Sequence, residues 1–279
     1  MSVTISLKEM FKNGVHYGHK ASRWNPKMKK YIYEKRSGIH LIDLEKSADK
    51  FAEALEFLHQ ELSQGKTMMF VATKLQTADL VAEYARATKT PYVIHRWLGG
   101  TLTNFKTIQS RIRFYKELEK RVDDPSLMER YTKKEQAEFR KELERLQQTL
   151  GGMKEVVAVP DILFVTDVNH DRIAITEAQK MGIPVVGFVD TNANPNLVDY
   201  PIPANDDAIN SLKYLLGLVN EIILDARNIA TQAKVKQQNA ETKQEISDDV
   251  IAEKEEGAKK KSEIKSKKPN TPTKSKKAE

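Results

Sequence analysis

The 279-residue sequence is 39% apolar and 30% charged, which predicts a soluble globular protein able to bury about 70% of its unfolded surface. No cysteine is present, which excludes disulfides, thiolate metal sites and cysteine nucleophiles, and no apolar run approaches the ~20 residues of a membrane span. The net charge is +7, and the positive charge is concentrated in two segments, so we expect a polyanionic partner. The lack of cysteine indicates a reducing interior. We expect no signal or membrane segment.

The first basic segment, residues 8–36, carries nine lysines or arginines against two glutamates. Three aromatic residues, Trp24, Tyr31 and Tyr33, lie among these cations. Cations neutralise phosphates while a flat ring stacks on an unpaired base, a combination that suits folded RNA better than duplex DNA. In the alternative interpretation, the aromatic residues face the core and the lysines form an ordinary solvated surface.

Beyond this segment, β-branched runs alternate with amphipathic helical patterns, which is typical of a parallel sheet with crossover helices. The predicted strands are 68–73, 92–96, 162–166 and 185–190, with a weaker one at 39–42. The predicted helices are 47–62, 77–88, 171–181 and 206–230. We therefore predict an α/β fold with a doubly wound parallel sheet and helices on both faces.

The connection between the strands at 92–96 and 162–166 is much longer than a crossover requires. Within it, apolar residues recur at helical spacing over 108–122 and again over 139–150. Thr132 and Glu135 have the spacing of a capping box at the start of the second helix. We predict an inserted antiparallel helical hairpin at 107–150, with outer faces that are either solvated or a docking surface.

The second basic segment lies at the C-terminus, where residues 259–279 carry nine lysines against two glutamates. From about residue 232 the chain has too few apolar residues to offset the entropy of ordering. We predict a disordered, Lys-rich tail at 232–279. The folded body then consists of residues 1–106 and 151–231.

The segment from Arg96 to Lys106 follows a predicted strand, where α/β proteins bind ligands and where free N–H groups can hold a phosphate. It lacks the glycine spacing of dinucleotide-binding and P-loop motifs. Gly99 and Gly100 are therefore compatible with a simple tight turn as well as with a ligand site. Arg96 and Asn104 are plausible contacts to an RNA backbone.

Acidic residues mark three further positions: Asp167, Asp190 and 205–207. Carboxylates there can act in acid/base chemistry or bind a cation. However, Asp at a first helical turn normally caps the helix, and no basic partner stands at a characteristic spacing. His16 and His19 join Asp190 and Asp206 around a metal ion only if the fold brings them together. We predict no catalytic residue, metal or cofactor.

Three segments stand out together: GVHYGHKASRWNPKMKKYIYEKRSGIHLIDL (14–44), RWLGGTLTNFKTI (96–108) and GIPVVGFVDTNANPNLVDYPIPANDDAI (182–209). In order and spacing they resemble the family of the universal small-subunit ribosomal protein two, in its bacterial form, over about residues 5–230. The resemblance implies a Rossmann-like sheet domain with an inserted coiled-coil hairpin and no catalytic activity. It also implies a cytoplasmic place in the small ribosomal subunit, next to its RNA and other ribosomal proteins, with small-subunit protein one docking nearby in many bacteria.

Carried over by position, the resemblance implies eight RNA-facing residues: Lys20, Arg23, Lys27, Lys29, Lys30, Arg36, Arg96 and Asn104. We expect no membrane or DNA partner. One rival function is a doubly wound enzyme that binds a phosphorylated ligand at Gly99 and Gly100 and uses Asp190 as acid or base. Another is a coiled-coil adaptor, built on the hairpin, with incidental RNA affinity.

Overall fold

The computed structural model describes residues 5–232 and arranges them around two β-sheets. In chain order the elements are α1 (Leu7–Lys12), β1 (Tyr17–Lys20), β2 (Ile32–Arg36), β3 (Ile39–Ile42), α2 (Leu44–Ser63), β4 (Met68–Val71), α3 (Leu75–Thr88), β5 (Tyr92–Val93), α4 (Phe105–Asp123), α5 (Pro125–Met128), α6 (Lys133–Leu150), β6 (Ile162–Val165), α7 (Arg172–Met181), β7 (Val185–Val189), β8 (Tyr200–Pro203) and α8 (209–232). Short 3₁₀ turns lie at Ala21–Arg23, Pro26–Tyr31, Gly151–Met153 and Pro195–Leu197. The chain divides into two units, Met1–Ala230 and Thr231–Glu279, and both sheets lie in the first.

The larger sheet has five parallel strands in the order β5-β4-β6-β7-β8. From β4 the chain moves outward to β5, then crosses back to β6 on the other side of β4 and continues to β8. The strand order therefore reverses between β4 and β6. In open α/β sheets, side chains that follow the carboxyl ends of strands converge at such a switch point.

Both faces of this sheet are covered by helices. Met68 and Phe70 of β4 pack into one core with residues of α2, α3 and α8, whereas Met69 and Val71 pack into a second core with α4, α6 and α7. Strands buried on both faces must be apolar throughout, which is why their sequences are continuous runs instead of alternating patterns. The prediction of a doubly wound parallel sheet is confirmed.

The edge strands are those that the sequence predicted least well. β5 contains only Tyr92 and Val93, whereas the predicted strand is 92–96. β8 was not predicted because it contains Pro201 and Pro203, which cannot donate ladder hydrogen bonds. At an edge that loss is tolerated, since β8 pairs on one side only, with β7.

The long connection between β5 and β6 contains α4 and α6, as the predicted helices require. The apolar residues of their stripes, including Ile112, Tyr115 and Leu146, are buried in the second core. Thr132 and Glu135 form the predicted capping box at the start of α6. The coiled-coil character of this insert and the domain boundaries at 107, 151 and 232 remain predictions.

The smaller sheet is antiparallel, in the order β1-β3-β2, and only β3 was predicted. Apart from its first residue, the predicted tail at 232–279 lies outside the described residues. Among residues 5–232, no helix combines the length and apolar character needed to cross a membrane.

Candidate nucleic-acid interface

Residues 17–42, here called the basic ribbon, consist of the small sheet and two 3₁₀ turns. Lys20 of β1 and Arg36 of β2 both pair with Ile39 of the central strand β3. Directly paired residues project from the same face of a sheet, and neighbouring strands lie about 4.8 Å apart. The pairing therefore brings Lys20 and Arg36 into one row on one face of the ribbon.

The 3₁₀ turn Pro26–Tyr31 separates core residues from cations. In a 3₁₀ turn, residues i and i+3 are aligned. Met28 and Tyr31 are both buried, and Met28 anchors the turn in the second core. Lys27 and Lys30 are aligned in the same way on an exposed side, and Lys29 is exposed too.

The cations of the ribbon are free to meet a partner. All six predicted ones are exposed: Lys20, Arg23, Lys27, Lys29, Lys30 and Arg36. Within residues 5–232, none of the six forms an ion pair with a carboxylate. Their positive charge is therefore not neutralised by the part of the chain that the structure describes.

The three aromatic residues of the ribbon have different environments. Tyr31 is buried, and Trp24 packs against His40 with the ring planes tilted by 44° and the centroids 5.2 Å apart. Tyr33, in contrast, is 73% exposed. The core-facing interpretation is thus correct for Tyr31, whereas Tyr33 is the ring of the three that is open to a stacking partner.

Thr191, which follows β7, attaches the ribbon to the edge of the large sheet. Its Oγ1 accepts a hydrogen bond from the backbone N–H of His19 at 2.8 Å, and its carbonyl accepts one from Asn25 at 2.8 Å. Gly18 packs so closely here that a Cβ atom would lie 2.5 Å from Thr191 Cγ2. The ribbon is therefore held by contacts with no room for a larger residue.

A cluster of charges lies beside this contact, where the strand order reverses. Lys74 Nζ lies 2.9 Å from Asp206 Oδ1, 2.5 Å from Asp207 Oδ1 and 3.3 Å from Asp167 Oδ2. His19 bridges two carboxylates, with Nδ1 3.0 Å from Asp190 Oδ2 and Nε2 3.3 Å from Asp207 Oδ2. The two cations link the ribbon, the sheet edge and the segment that precedes α8.

Electrostatics favour charged forms of both cations. The hydrogen bond with Asp190 raises the pKa of His19 to about 9, although burial opposes this, so His19 is protonated at neutral pH. Burial lowers the pKa of Lys74, but Asp206 and Asp207 outweigh it and raise the pKa overall. Burial, together with the nearby carboxylates, raises the pKa of Asp206, against the effect of Lys74.

One sequence-based expectation about this cluster is wrong. Asp206 and Asp207 do not open the last helix, which starts at 209. Asn205 Oδ1 instead accepts from the N–H groups of Asp207 and Ala208. The carboxylates have no basic partner at a characteristic spacing in the sequence, and the partner that the fold supplies, Lys74, is 132 residues from Asp206.

The fold brings only one of the two histidines to these carboxylates. His19, Asp206 and Asp207 offer ligand atoms within 4.8 Å of one another, so among residues 5–232 they are the group that could hold a metal ion. His16 is buried elsewhere, stacked on Phe11 with ring centroids 4.5 Å apart, and burial lowers its pKa. The idea that His16 joins the cluster is therefore wrong.

The second predicted RNA-facing segment, residues 96–104, is here called the glycine loop. Arg96 and Asn104 are exposed at its two ends, while Trp97 and Leu102 are buried in the second core. Gly100 has a φ of +87°, a conformation that favours glycine, so it forms a tight turn. Asn104 Oδ1 accepts a hydrogen bond from Thr107 Oγ1 at 3.0 Å.

Three N–H groups of the glycine loop already donate to a carboxylate and are not free to hold a phosphate. Those of Gly100, Leu102 and Thr103 all donate to the carboxylate of Glu177, on α7. These three groups are therefore lost as donors to a phosphate, which weakens the support for a phosphate-binding enzyme. Sequence analysis missed Glu177. Its position next to Ala178, on the buried stripe of α7, indicates a buried carboxylate that needs hydrogen-bond donors.

Fold and site agree with a comparison against known protein families. The family described as Ribosomal protein S2 matches residues 10–226, a range that includes both sheets, the basic ribbon and the glycine loop. Proteins of this family are structural parts of the ribosome. The chain belongs to the ribosomal protein S2 family, and is a cytoplasmic component of the small ribosomal subunit that takes part in translation.

Proposed function

We propose that this protein binds small-subunit ribosomal RNA through phosphate contacts made by the basic ribbon and the glycine loop, and that it catalyses no reaction. The observation that carries the proposal is the set of six exposed cations on the ribbon, unpaired within residues 5–232. Clustered cations release counterions that are condensed on a nucleic acid, which supplies most of the affinity for its backbone.

The attachment of the ribbon supports this function. A flexible basic segment loses conformational entropy when it binds, whereas Thr191 and the His19–Asp190 contact hold these cations in place before RNA arrives. The aligned pairs, Lys20 with Arg36 and Lys27 with Lys30, then present charge at fixed spacings. A folded RNA with phosphates at matching positions is the expected partner.

The protein also offers surfaces for neighbouring ribosomal proteins, with small-subunit protein one as a candidate partner. The family supports docking of this kind, and the charged outer faces of α4 and α6 are available for it. The proposed division into a body, 1–106 and 151–231, and a hairpin, 107–150, assigns RNA binding to the first and protein docking to the second.

The salt dependence of RNA binding tests the proposal. Lys27→Glu with Lys30→Glu in the full chain removes two phosphate contacts, so the slope of log K against log salt becomes shallower by about 1.4 to 1.8. The matched control, Lys134→Glu with Lys213→Glu, makes the same change in net charge at exposed positions on α6 and α8. The control retains the native slope, and an equal slope for both double variants would refute the contacts.

A further inference from the structure

Glu177 is a buried carboxylate with an unusual number of donors. Its Oε1 accepts from Trp97 Nε1 at 3.0 Å and from the N–H of Gly100 at 2.8 Å. Its Oε2 accepts from the N–H groups of Leu102 and Thr103 at 3.0 and 3.2 Å, and from Thr103 Oγ1 at 3.2 Å. The residue is only 7% exposed, so these donors replace the water that a carboxylate normally binds.

This arrangement requires two acceptor oxygens. Three of the donors are backbone N–H groups of the glycine loop, and each would be left without a partner if its acceptor were lost, at a cost of about 1–3 kcal/mol. Burial raises the pKa of Glu177, but the hydrogen bonds from Trp97 and from the loop outweigh this and lower it. The carboxylate therefore stays ionised and able to accept all five.

The loop that these bonds shape has Arg96 at one end and Asn104 at the other, and both of these residues are exposed. Arg96 precedes Trp97, whose indole is fixed by Glu177, and Asn104 follows Thr103, which is fixed through both its N–H and its hydroxyl. Among the described residues, neither Arg96 nor Asn104 forms a hydrogen bond or an ion pair with Glu177. Its influence on them acts through the backbone.

We propose that Glu177 is the positioning residue of the RNA interface, holding the glycine loop so that Arg96 and Asn104 meet the RNA together with the basic ribbon. The inference rests on the function proposed above. Glu177 then favours the binding of RNA, although its own negative charge repels RNA.

That opposition makes a sharp test possible. Glu177→Gln removes a negative charge, which by electrostatics alone strengthens RNA binding. The amide keeps one acceptor oxygen but places an NH₂ group against the N–H donors of Leu102 and Thr103, so the loop must rearrange. Positioning therefore predicts weaker binding, by about fivefold at 0.15 M salt if one phosphate contact is lost. The matched control, Glu83→Gln at an exposed site on α3, removes the same charge without weakening binding.

A spectroscopic signature accompanies the affinity measurement. The sequence has two tryptophans, so the indole N–H of Trp97 can be assigned with Trp24→Phe. In Glu177→Gln this proton resonance moves upfield because the carboxylate acceptor has been replaced by an amide. Thr103→Val is a milder variant, which removes one of the five donors, the hydroxyl of Thr103, and about twofold weaker binding is expected from it. It keeps the test decisive if Glu177→Gln does not fold.

The outcomes separate this inference from the function on which it rests. If Arg96→Ala weakens RNA binding while Glu177→Gln and Thr103→Val bind as tightly as the native chain, the positioning role is wrong and the RNA interface stands. If Lys27→Glu with Lys30→Glu has no effect, the proposed function itself fails. If Glu177→Gln and Thr103→Val both bind RNA more weakly while Glu83→Gln keeps the native affinity, the positioning role and the proposed function are both supported.

Discussion

The contact between the basic ribbon and the sheet edge can be tested with a single methyl group. In Gly18→Ala, the new Cβ atom would lie 2.5 Å from Thr191 Cγ2, 2.7 Å from Thr191 Oγ1 and 2.9 Å from the carbonyl oxygen of His40. All three distances are too short, and one of the atoms belongs to the backbone, which moves less easily than a side chain. The ribbon must shift away from the sheet.

The expected cost follows from the kind of contact. Overpacking a filled site usually costs about 1–3 kcal/mol, and three short contacts place Gly18→Ala near the upper end, about 3 kcal/mol. For a domain of this size that corresponds to a melting temperature about 6–12 °C lower. Part of the loss is the hydrogen bond between the His19 N–H and Thr191 Oγ1.

Urea unfolding of a double-mutant cycle measures the effect and its cause. Thr191→Ala removes two of the three clashing atoms and costs about 1–3 kcal/mol by itself, because the His19 N–H loses its acceptor. In the double variant most of the clash is relieved. Its loss of unfolding free energy should therefore be smaller than the sum of the two single losses, by about 1 kcal/mol or more. Gly99→Ala is the control, since a Cβ there meets no atom within 4 Å. Strictly additive losses would show that the ribbon does not pack on Thr191.

Three further predictions concern the rest of the body. Lys74→Met leaves the buried Asp206 without its cation. Because burial and neighbouring carboxylates raise the pKa of Asp206 to about 8, the loss in free energy of urea unfolding should grow as the pH rises from 6 to 9, towards about 3–5 kcal/mol, and should be smaller in acid, where the carboxylates are protonated. An undiminished loss at low pH would contradict this. Gly152→Ala should cost about 3 kcal/mol in the same assay because its Cβ would overlap the carbonyl oxygen of Tyr92, and a change below 0.5 kcal/mol would show that the site is open. The pKa of Glu177 is lowered in the fold, so its contribution to stability is present above its ordinary value of 4.5 and is lost as the pH falls through the folded pKa. Unfolding measured from pH 7 to pH 3 should therefore show an acid-side loss that Glu177→Gln lacks, and parallel pH profiles would disprove it.

The central elements could be predicted from the sequence because their signals are local. The strands β4 to β7 contain apolar runs, and the apolar residues of the helices between them recur with a period of 3.6. Each element can therefore be identified without knowing its neighbours. The stripes of α4 and α6 were found in the same way. β1 and β2 were missed because their exposed, charged residues give no apolar pattern, and β8 because of its prolines.

The site was only partly predictable because its geometry depends on residues that are distant in the sequence. Exposed cations in the ribbon follow directly from their number and spacing. The alignment of Lys20 with Arg36 depends on strand register, and the cluster around Lys74 depends on the order of strands in the sheet. A local pattern contains neither kind of information. Glu177 illustrates the same limit, since its five donors lie more than 70 residues earlier in the chain.

The most direct test of the account is a cryo-electron microscopy map of the small ribosomal subunit that contains this chain. The account predicts that the side-chain nitrogens of Lys20, Lys27, Lys30 and Arg36 lie within about 4 Å of ribosomal RNA phosphate oxygens. A map in which these side chains face open solvent, or contact only protein, would contradict it.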